Sequence, residues 1–228
     1  MDNLFKAHRA VLINTKGIDY FVGDIHGNLA GLLLHLNKIG FCFEEDRLFA
    51  CGDIINRGAD SIGCIELLMQ PWFYSVLGNH EEMFLRSFDE PVFYQALVKN
   101  GGEWVKPMLN QPEKLMALAQ LIRIKMPLTL SVQSEQGKIG VVHADAPLKW
   151  SNISLDNVCI HHCLWSRRDM SESKTGVNIE GVKFTVHGHN SVHSPVIIDN
   201  QIWIDTLQFS GGFTILSSRQ LHDMIFLN

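Results

Sequence analysis

Short apolar runs that end in aspartate, asparagine or histidine recur along this chain, and that recurrence constrains its fold most. The run 48–51 (Leu-Phe-Ala-Cys) has strand length and ends in Gly52-Asp53, where the chain can turn and present a carboxylate off the end of a sheet. Asn56-Arg57-Gly58 follows and sets a guanidinium beside that carboxylate. An anion next to a fixed cation points to a metal site with a phosphate receptor beside it. Taken alone, such a stretch is more often a turn with a local ion pair. The other runs shift that balance. Residues 18–22 form a second short strand, closed by Gly23-Asp24-Ile25-His26-Gly27-Asn28. Behind it Leu29, Leu32, Leu33 and Leu36 repeat at helical spacing until Gly40. Asp24 and His26, two apart in an extended segment, can point to the same side. Carboxylate oxygen with imidazole nitrogen suits manganese, iron or zinc better than magnesium or calcium. Helix capping accounts for Asp24 and leaves His26 unexplained. A third strand, 72–77, ends in Gly78-Asn79-His80-Glu81, a neutral oxygen donor followed by a titratable imidazole. In open α/β sheets ligands gather at the carboxyl ends of strands, so three polar strand ends in succession point to one shared site.

Residues 82–125 read as mainly helical, interrupted by Asn100-Gly101-Gly102, Pro107 and Pro112. With Leu115, Leu118, Leu121 and Ile122 on one stripe, this region is expected to cover a flank of the sheet. No chemistry is expected of it, and Trp104 reads as packing. Residues 128–133 and 138–142 flank Ser134-Glu135-Gln136-Gly137 as a hairpin, and the second strand ends in His143-Ala144-Asp145. The run 184–186 leads into His187-Gly188-His189-Asn190, and 201–204 into Asp205-Thr206. Leu164-Trp165-Ser166-Arg167-Arg168 supplies paired guanidiniums suited to phosphate oxygens. Cys159-Ile160-His161-His162-Cys163 has the look of a zinc knuckle. Structural zinc takes four ligands from spaced pairs, so a short helix carrying core cysteines is the plainer reading.

The 228 residues suffice for one sizeable core. No proline-rich or low-complexity linker interrupts them, so residues 1–228 read as a single domain in which 82–125 is a helical cover. A hydrophobic content of 46% with 19% charged residues excludes disorder. The balance of 19 basic and 24 acidic residues, with no basic tract, argues against sequence-independent nucleic-acid binding, which rests on phosphate neutralisation. Five scattered cysteines suit a reducing compartment. The N-terminal segment lacks the apolar core of a signal peptide, and no run approaches membrane-spanning length. The expectation is a soluble, cytoplasmic protein with no membrane and no nucleic-acid partner.

Asp24, His26, Asp53, Asn79, His143 and His189 gather six oxygen and nitrogen donors from five loops. That is more than one catalytic ion with open positions needs and suits two ions sharing a carboxylate. In order, Gly23-Asp24-Ile25-His26, Gly52-Asp53 with Arg57-Gly58, Gly78-Asn79-His80-Glu81, His143 and Gly188-His189 resemble the signature of the calcineurin-like metallophosphoesterase superfamily. The finer resemblance covers nearly the whole chain, including His143-Ala144-Asp145, Trp165-Ser166-Arg167 and Ile204-Asp205-Thr206. It is to the small serine/threonine protein phosphatases of bacteria and their phages. The resemblance implies an α/β architecture of two sheets packed face to face, helices outside and a metal site at the strand carboxyl ends. It implies that Asp24, His26 and bridging Asp53 hold one divalent ion, and that Asp53, Asn79, His143 and His189 hold a second. Manganese is expected first, with iron or zinc as alternatives. Arg57 and Arg167, with Asn79 and His80, would grip the phosphate. His80 would act as general acid while a water shared by the two ions attacks phosphorus directly. The substrate would be a phosphorylated protein or peptide, or a small phosphoester. His187 matches no family ligand and reads as a satisfied loop or core histidine.

Two positions depart from the pattern. The protein phosphatases pair an Asp with the histidine acid where this chain has Asn56, and they usually have Gly where it has Leu207. Asn56 is expected to orient His80 through its amide oxygen, without charge to stabilise the imidazolium. The related symmetrical diadenosine tetraphosphate hydrolases carry Ala there, and their anhydride leaving groups need less protonation. Such a hydrolase is the alternative reading. Glu81 in place of their usual Asp, and the segments at 143–145 and 165–167, weigh for the phosphatase. A catalytically impaired phosphate- or phosphoprotein-binding module is a third reading, opposed by the intact set of six donors and two arginines.

Overall fold

The computed structural model describes residues 5–168 and 176–227, so residues 1–4 of the N-terminal segment lie outside it. In chain order its strands and α-helices are β1 (His8–Val11), β2 (Asp19–Val22), α1 (Leu29–Lys38), β3 (Arg47–Ala50), α2 (Ser61–Glu66), β4 (Phe73–Ser75), α3 (Asn79–Arg86), α4 (Pro91–Lys99), α5 (Val105–Met108), α6 (Pro112–Lys125), β5 (Thr129–Ser134), β6 (Gly137–Val142), α7 (Asn157–Trp165), β7 (Phe184–His187), β8 (Val196–Ile198), β9 (Gln201–Trp203), α8 (Leu207–Ser210), β10 (Ile215–Ser217) and α9 (Ser218–Phe226). Among the described residues they form two sheets, ordered β1-β5-β6-β7-β9-β8 and β10-β2-β3-β4.

Alternation along the strands builds two apolar layers from one sequence pattern. Phe21 and Phe49 stack at 5.3 Å and face Leu130, Ile139, Val141, Phe184 and Ile202 of the other sheet. Their neighbours Val22, Leu48 and Ala50 point the opposite way, into a second core shared with Leu32, Leu36, Ile65, Phe84 and Ile122 of the helices. The expected two-sheet α/β architecture with helices outside is therefore present. Helix α1 starts where the Asn28 side chain accepts from the Gly31 N–H at 3.1 Å and ends before Gly40, at φ +73°. Its buried stripe is Leu32 and Leu36, each contributing roughly 1.5–3 kcal/mol. Leu33 and Leu34 point outward.

The pairing explains where the chemistry collects. β2, β3 and β4 are parallel neighbours joined through α1 and α2, with Val22, Ala50 and Ser75 in contiguous register. β6, β7 and β9 are parallel in the other sheet. Both sets deliver their carboxyl ends to the same edge, where the Gly188 N–H donates to the His143 carbonyl at 2.9 Å and the His189 N–H to Asp24 Oδ1 at 3.0 Å. The expected hairpin is β5–β6, paired from Thr129↔Val142 to Ser134↔Gly137. β1, β8 and β10 are strands of three or four residues that add to sheet edges, beside β5, β9 and β2 respectively. α7 is a short helix with Cys163 and Leu164 buried and the Cys159 thiol 4.0 Å from that of Cys163. The ring of His162 turns to the Ala146 carbonyl at 3.1 Å, which fits the packing reading of this segment.

Candidate metal centre

The loops that carry the polar residues are stitched together by their own backbones. The Asp53 carbonyl accepts from the N–H groups of Ile25 and His26 at 3.1 and 2.8 Å. Glu81, wholly buried, closes the next junction: its carboxylate accepts from the N–H groups of Asp53 and Gly78 with Oε2, at 2.9 and 2.8 Å, and of Ile54 and Ile55 with Oε1, at 2.9 and 3.3 Å. Glycine is required where these loops touch. A Cβ on Gly78 would lie 2.0 Å from Asp53 Oδ1, and one on Gly188 would lie 2.2 Å from Asp24 Oδ1. Left-handed backbone at non-glycine residues concentrates here: His26 (φ +47°), Asp53 (+47°), Asn56 (+71°), Arg57 (+68°) and His189 (+59°). Each such residue costs of order 1–3 kcal/mol and persists only where its surroundings over-determine it, as they do at functional sites.

The structure brings all six expected donors together. His143 gives Nδ1–H to the Cys51 carbonyl at 2.7 Å, which leaves the Nε2 lone pair facing Asn79 Oδ1 at 3.0 Å, His189 Nδ1 at 3.1 Å and Asp53 Oδ2 at 3.5 Å. His26 gives Nδ1–H to the Ile55 carbonyl at 3.1 Å, so its Nε2 lone pair faces Asp24 Oδ2 at 3.6 Å and Asp53 Oδ2 at 4.0 Å. Asp53 reaches both sets. Electron pairs converging with few protons between them call for cations, and the backbone carbonyls behind each histidine fix its metal-ready tautomer. Burial lowers His26 and His189 to about 3, so no proton has to leave either ring at neutral pH. Burial would push Asp53 up, but His143, His80 and His26 together hold it below the usual carboxylate range. Burial, Asp205 and Asp53 raise Asp24. The chemistry of this donor set fits two divalent ions sharing Asp53.

Cationic and proton-bearing groups line the rim. Arg57 places Nη1 2.7 Å from His26 Nε2 and Nη2 3.4 Å from His80 Nε2. Its backbone N–H donates to the Gly101 carbonyl at 2.9 Å. His80 sits at the start of α3, its ring 4.8 Å from that of His26. Its Nδ1 lies 2.8 Å from Asn56 Nδ2, and Asn56 Oδ1 accepts from the Trp104 indole N–H at 2.7 Å. This corrects two sequence expectations. Asn56 does not meet His80 through its oxygen, because Trp104 holds that oxygen. The region 82–125 is not chemically silent, because Gly101 anchors Arg57 and Trp104 anchors Asn56. Arg167 is exposed, close enough for its charge to add to the lowering of His80 and His189 that burial causes. The preceding Trp165 is pinned by its indole N–H to Glu82. His187 lies apart from the donors: it bonds Thr185 Oγ1 and the Ala144 carbonyl at 2.7 and 2.6 Å and stacks on Trp203. It is a satisfied core histidine, as expected.

Sequence reasoning gave no role to Glu81, Glu82, Trp104 or Asp205. For Glu81 a signal existed, a Glu three residues after the helix cap, the spacing of a capping box. Asp205 is buried at the end of β9, accepts from Ser191 Oγ at 2.7 Å and faces the backbone of Gly23. Only the pairing of β9 beside β7 brings it there.

The sequence model of the calcineurin-like phosphoesterases matches residues 20–195. Serine/threonine-protein phosphatase 1 of Salmonella typhimurium is 31% identical over 210 residues, 88% of this chain and 91% of that protein. Serine/threonine-protein phosphatase 2 of the same organism is 34% identical over 201 residues, 85% and 88% of the two chains. A symmetrical bis(5'-nucleosyl)-tetraphosphatase of Pseudomonas fluorescens is 30% identical over 135 residues, 58% of this chain and 44% of that one. In fold, a protein serine/threonine phosphatase of Saccharomyces cerevisiae superposes with a TM-score of 0.60 over 88% of this chain and 71% of that one, at 16% identity. The two sheets, the donors at their shared edge and these matches agree that the chain belongs to the calcineurin-like phosphoesterase family and is a metal-dependent hydrolase.

Proposed function

We propose that this hydrolase is a phosphomonoesterase of the serine/threonine protein phosphatase type. The observation that carries the reading is Arg57, whose guanidinium spans His26 and His80 at 2.7 and 3.4 Å, at the mouth of the donor cluster. Asp24, His26 and Asp53 would hold one divalent ion, and Asp53, Asn79, His143 and His189 the other, with manganese our choice of metal. The bound pair supplies Lewis acidity toward a phosphoryl oxygen and makes water a competent nucleophile at neutral pH. Arg57 and Arg167 pair with the equatorial oxygens as charge builds there. His80 directs Nε2–H at the leaving oxygen, and Asn79 and His80 border the phosphate. Phosphorylated proteins, peptides or small phosphoesters are the substrates we favour. The free thiols of all five cysteines support a reducing, cytoplasmic setting.

A second reading has its own support. Asn56 brings no carboxylate to His80, which suits an anhydride leaving group, and a symmetrical tetraphosphatase is among the relatives. Purified protein with manganese, assayed on p-nitrophenyl phosphate, phosphoserine and phosphotyrosine peptides and diadenosine tetraphosphate, decides between them. A dominant rate on the phosphomonoesters supports the phosphatase. A dominant rate on the dinucleotide overturns it, and silence on all four points to a binding module.

A further inference from the structure

A groove of about 800 Å³ opens directly beside the phosphate site, with His26 and Arg57 in its wall. Leu29 and Leu33, one helical turn apart on α1, form one side. Leu207 at the start of α8 and Ala59 close it, and no Lys or Arg other than Arg57 lines it. The sequence shows why this face is apolar. α1 carries five leucines in ten residues, but only Leu32 and Leu36 enter the core. Leu33 remains 38% exposed. Leu29 packs partly against the core, while Leu33 is left exposed next to the reacting centre. The charged side chain at the rim, Asp60, is already committed, its Oδ1 capping α2 through the Gly63 N–H at 2.7 Å.

Resting on the phosphatase reading, we infer that this groove binds a bulky apolar side chain flanking the phosphorylated residue of a peptide substrate, with Leu33 and Leu207 as specificity-determining residues. The occupant is tied to the phosphate, because the groove and the phosphate site share Arg57. It is uncharged, because the walls offer hydrocarbon. A polyphosphate chain is disfavoured there, because its further charges would meet Leu29, Leu33, Leu207 and the carboxylate of Asp60 with no second cation.

The test compares phosphotyrosine peptides that differ only in having Ala or Leu beside the phosphoresidue, using wild type, Leu33→Lys and Leu207→Gly, with p-nitrophenyl phosphate as the small reference substrate. Filling such a pocket with extra methylenes is worth about tenfold or more in kcat/KM. Wild type should prefer the Leu peptides by about that factor at one flanking position. Both variants should bring the preference to within about twofold while the reference rate stays unchanged. Leu33 is solvent-exposed, so Leu33→Lys keeps the fold even if Leu207→Gly loosens α8. Equal rates on the Ala and Leu peptides overturn the inference, as does a preference that survives both substitutions. A matching loss on p-nitrophenyl phosphate would give the groove to the leaving ring itself. A loss on diadenosine tetraphosphate alone would give it to a nucleobase. If wild type hydrolyses p-nitrophenyl phosphate and no peptide at all, the protein-phosphatase reading fails first and takes this inference with it.

Discussion

Trp104 donates its indole N–H to Oδ1 of Asn56 across 2.7 Å, and by doing so fixes the amide that faces His80. Indole has a donor and no acceptor, so the amide oxygen must lie on its side. The amide NH2 then points at His80 Nδ1, 2.8 Å away, and that nitrogen has to accept. His80 is thus held as the neutral Nε2–H tautomer. Burial pushes the same way, lowering its pKa against the pull of Asp53. In this state Nε2–H can hydrogen-bond a leaving oxygen, but giving the proton away would leave an imidazolate.

Aryl oxides and phosphoanhydrides need little protonation as they leave, whereas serine and threonine alkoxides need it badly. General-acid help is worth about 10²–10⁴-fold where the leaving group demands it. The wild type is therefore expected to favour phosphotyrosine and aryl phosphates over phosphoserine. In Asn56→Asp a carboxylate can accept from both Trp104 and a protonated Nδ1, which raises the His80 pKa. Phosphoserine turnover should rise at least about tenfold, with p-nitrophenyl phosphate nearly unchanged. Because the acid works only while protonated, the variant's phosphoserine profile should gain an alkaline limb that wild type lacks above pH 6. Neither nearby carboxylate already does this job: Asp60 caps α2, and Asp145 faces Arg168 at 3.7 Å. Kinetics on both substrates from pH 5.5 to 9 check it, and equal changes on the two would remove Asn56 from the proton transfer.

The two histidines around Gly188 should separate cleanly. His189→Ala is expected to abolish activity and the binding of one ion in two. His187→Ala should keep metal stoichiometry and most of kcat but lose stability, about 2–4 kcal/mol for a buried, doubly bonded ring. Burial holds His187 at about 3 in the fold, against about 6.5 when unfolded. The fold therefore excludes a proton that the unfolded chain accepts. Its contribution is complete above pH 6.5 and falls by about 1.4 kcal/mol per unit as the pH drops toward 3. Urea unfolding of chelator-treated protein at pH 7 and 5.5 should show a smaller acid loss in His187→Ala than in wild type. An acid loss equal to that of wild type would deny His187 this role.

Glu81 makes a sharper stability prediction. Its two oxygens each accept from two backbone N–H groups, and Glu81→Gln would turn an NH2 toward one of those pairs. Each opposed buried donor costs about 1–3 kcal/mol. Since Asp53 and Gly78 are positioned by this carboxylate, calorimetry should show weaker binding of both ions as well as a lower Tm. A lower Tm with unaltered ion affinity would make Glu81 purely structural.

What the sequence revealed follows from where each contact originates. Asp24, His26 and Asp53 sit in turns, and Asn79 at a helix start, directly after apolar runs, so a local pattern places them at strand ends, and parallel pairing does the rest. The α/β class and the β5–β6 hairpin were legible for the same reason. Trp104 was not, because its partner is 48 residues away and the link runs through a helical region whose apolar pattern reads only as cover. β1, β8 and β10 are no shorter than β4 or β9, but they escaped because no polar metal-ligand motif follows them to mark where a strand ends. The spacing of Leu29, Leu32, Leu33 and Leu36 gave the helix but not its facing, since a leucine at helical spacing looks the same whether it faces the sheet or a groove.

Arg57 and His26 supply the last prediction. The His26 Nε2 lone pair that would bind the first ion accepts instead from Arg57 Nη1, at 2.7 Å. The guanidinium charge also acts on Asp24. One lone pair cannot serve both, so loading that ion has to free Arg57, which can then swing toward phosphate. Arg57 thus opposes the first ion twice, by occupying its nitrogen and by placing like charge beside it. Arg57→Ala should therefore bind manganese more tightly at that site, by about three- to tenfold for roughly 1 kcal/mol of relieved competition, while losing inhibition by inorganic phosphate. Calorimetric titration of the chelated protein reads the first change and phosphate inhibition of p-nitrophenyl phosphate hydrolysis reads the second. Weaker manganese binding in Arg57→Ala would mean the guanidinium steadies the ion site, and the competition would have to be abandoned.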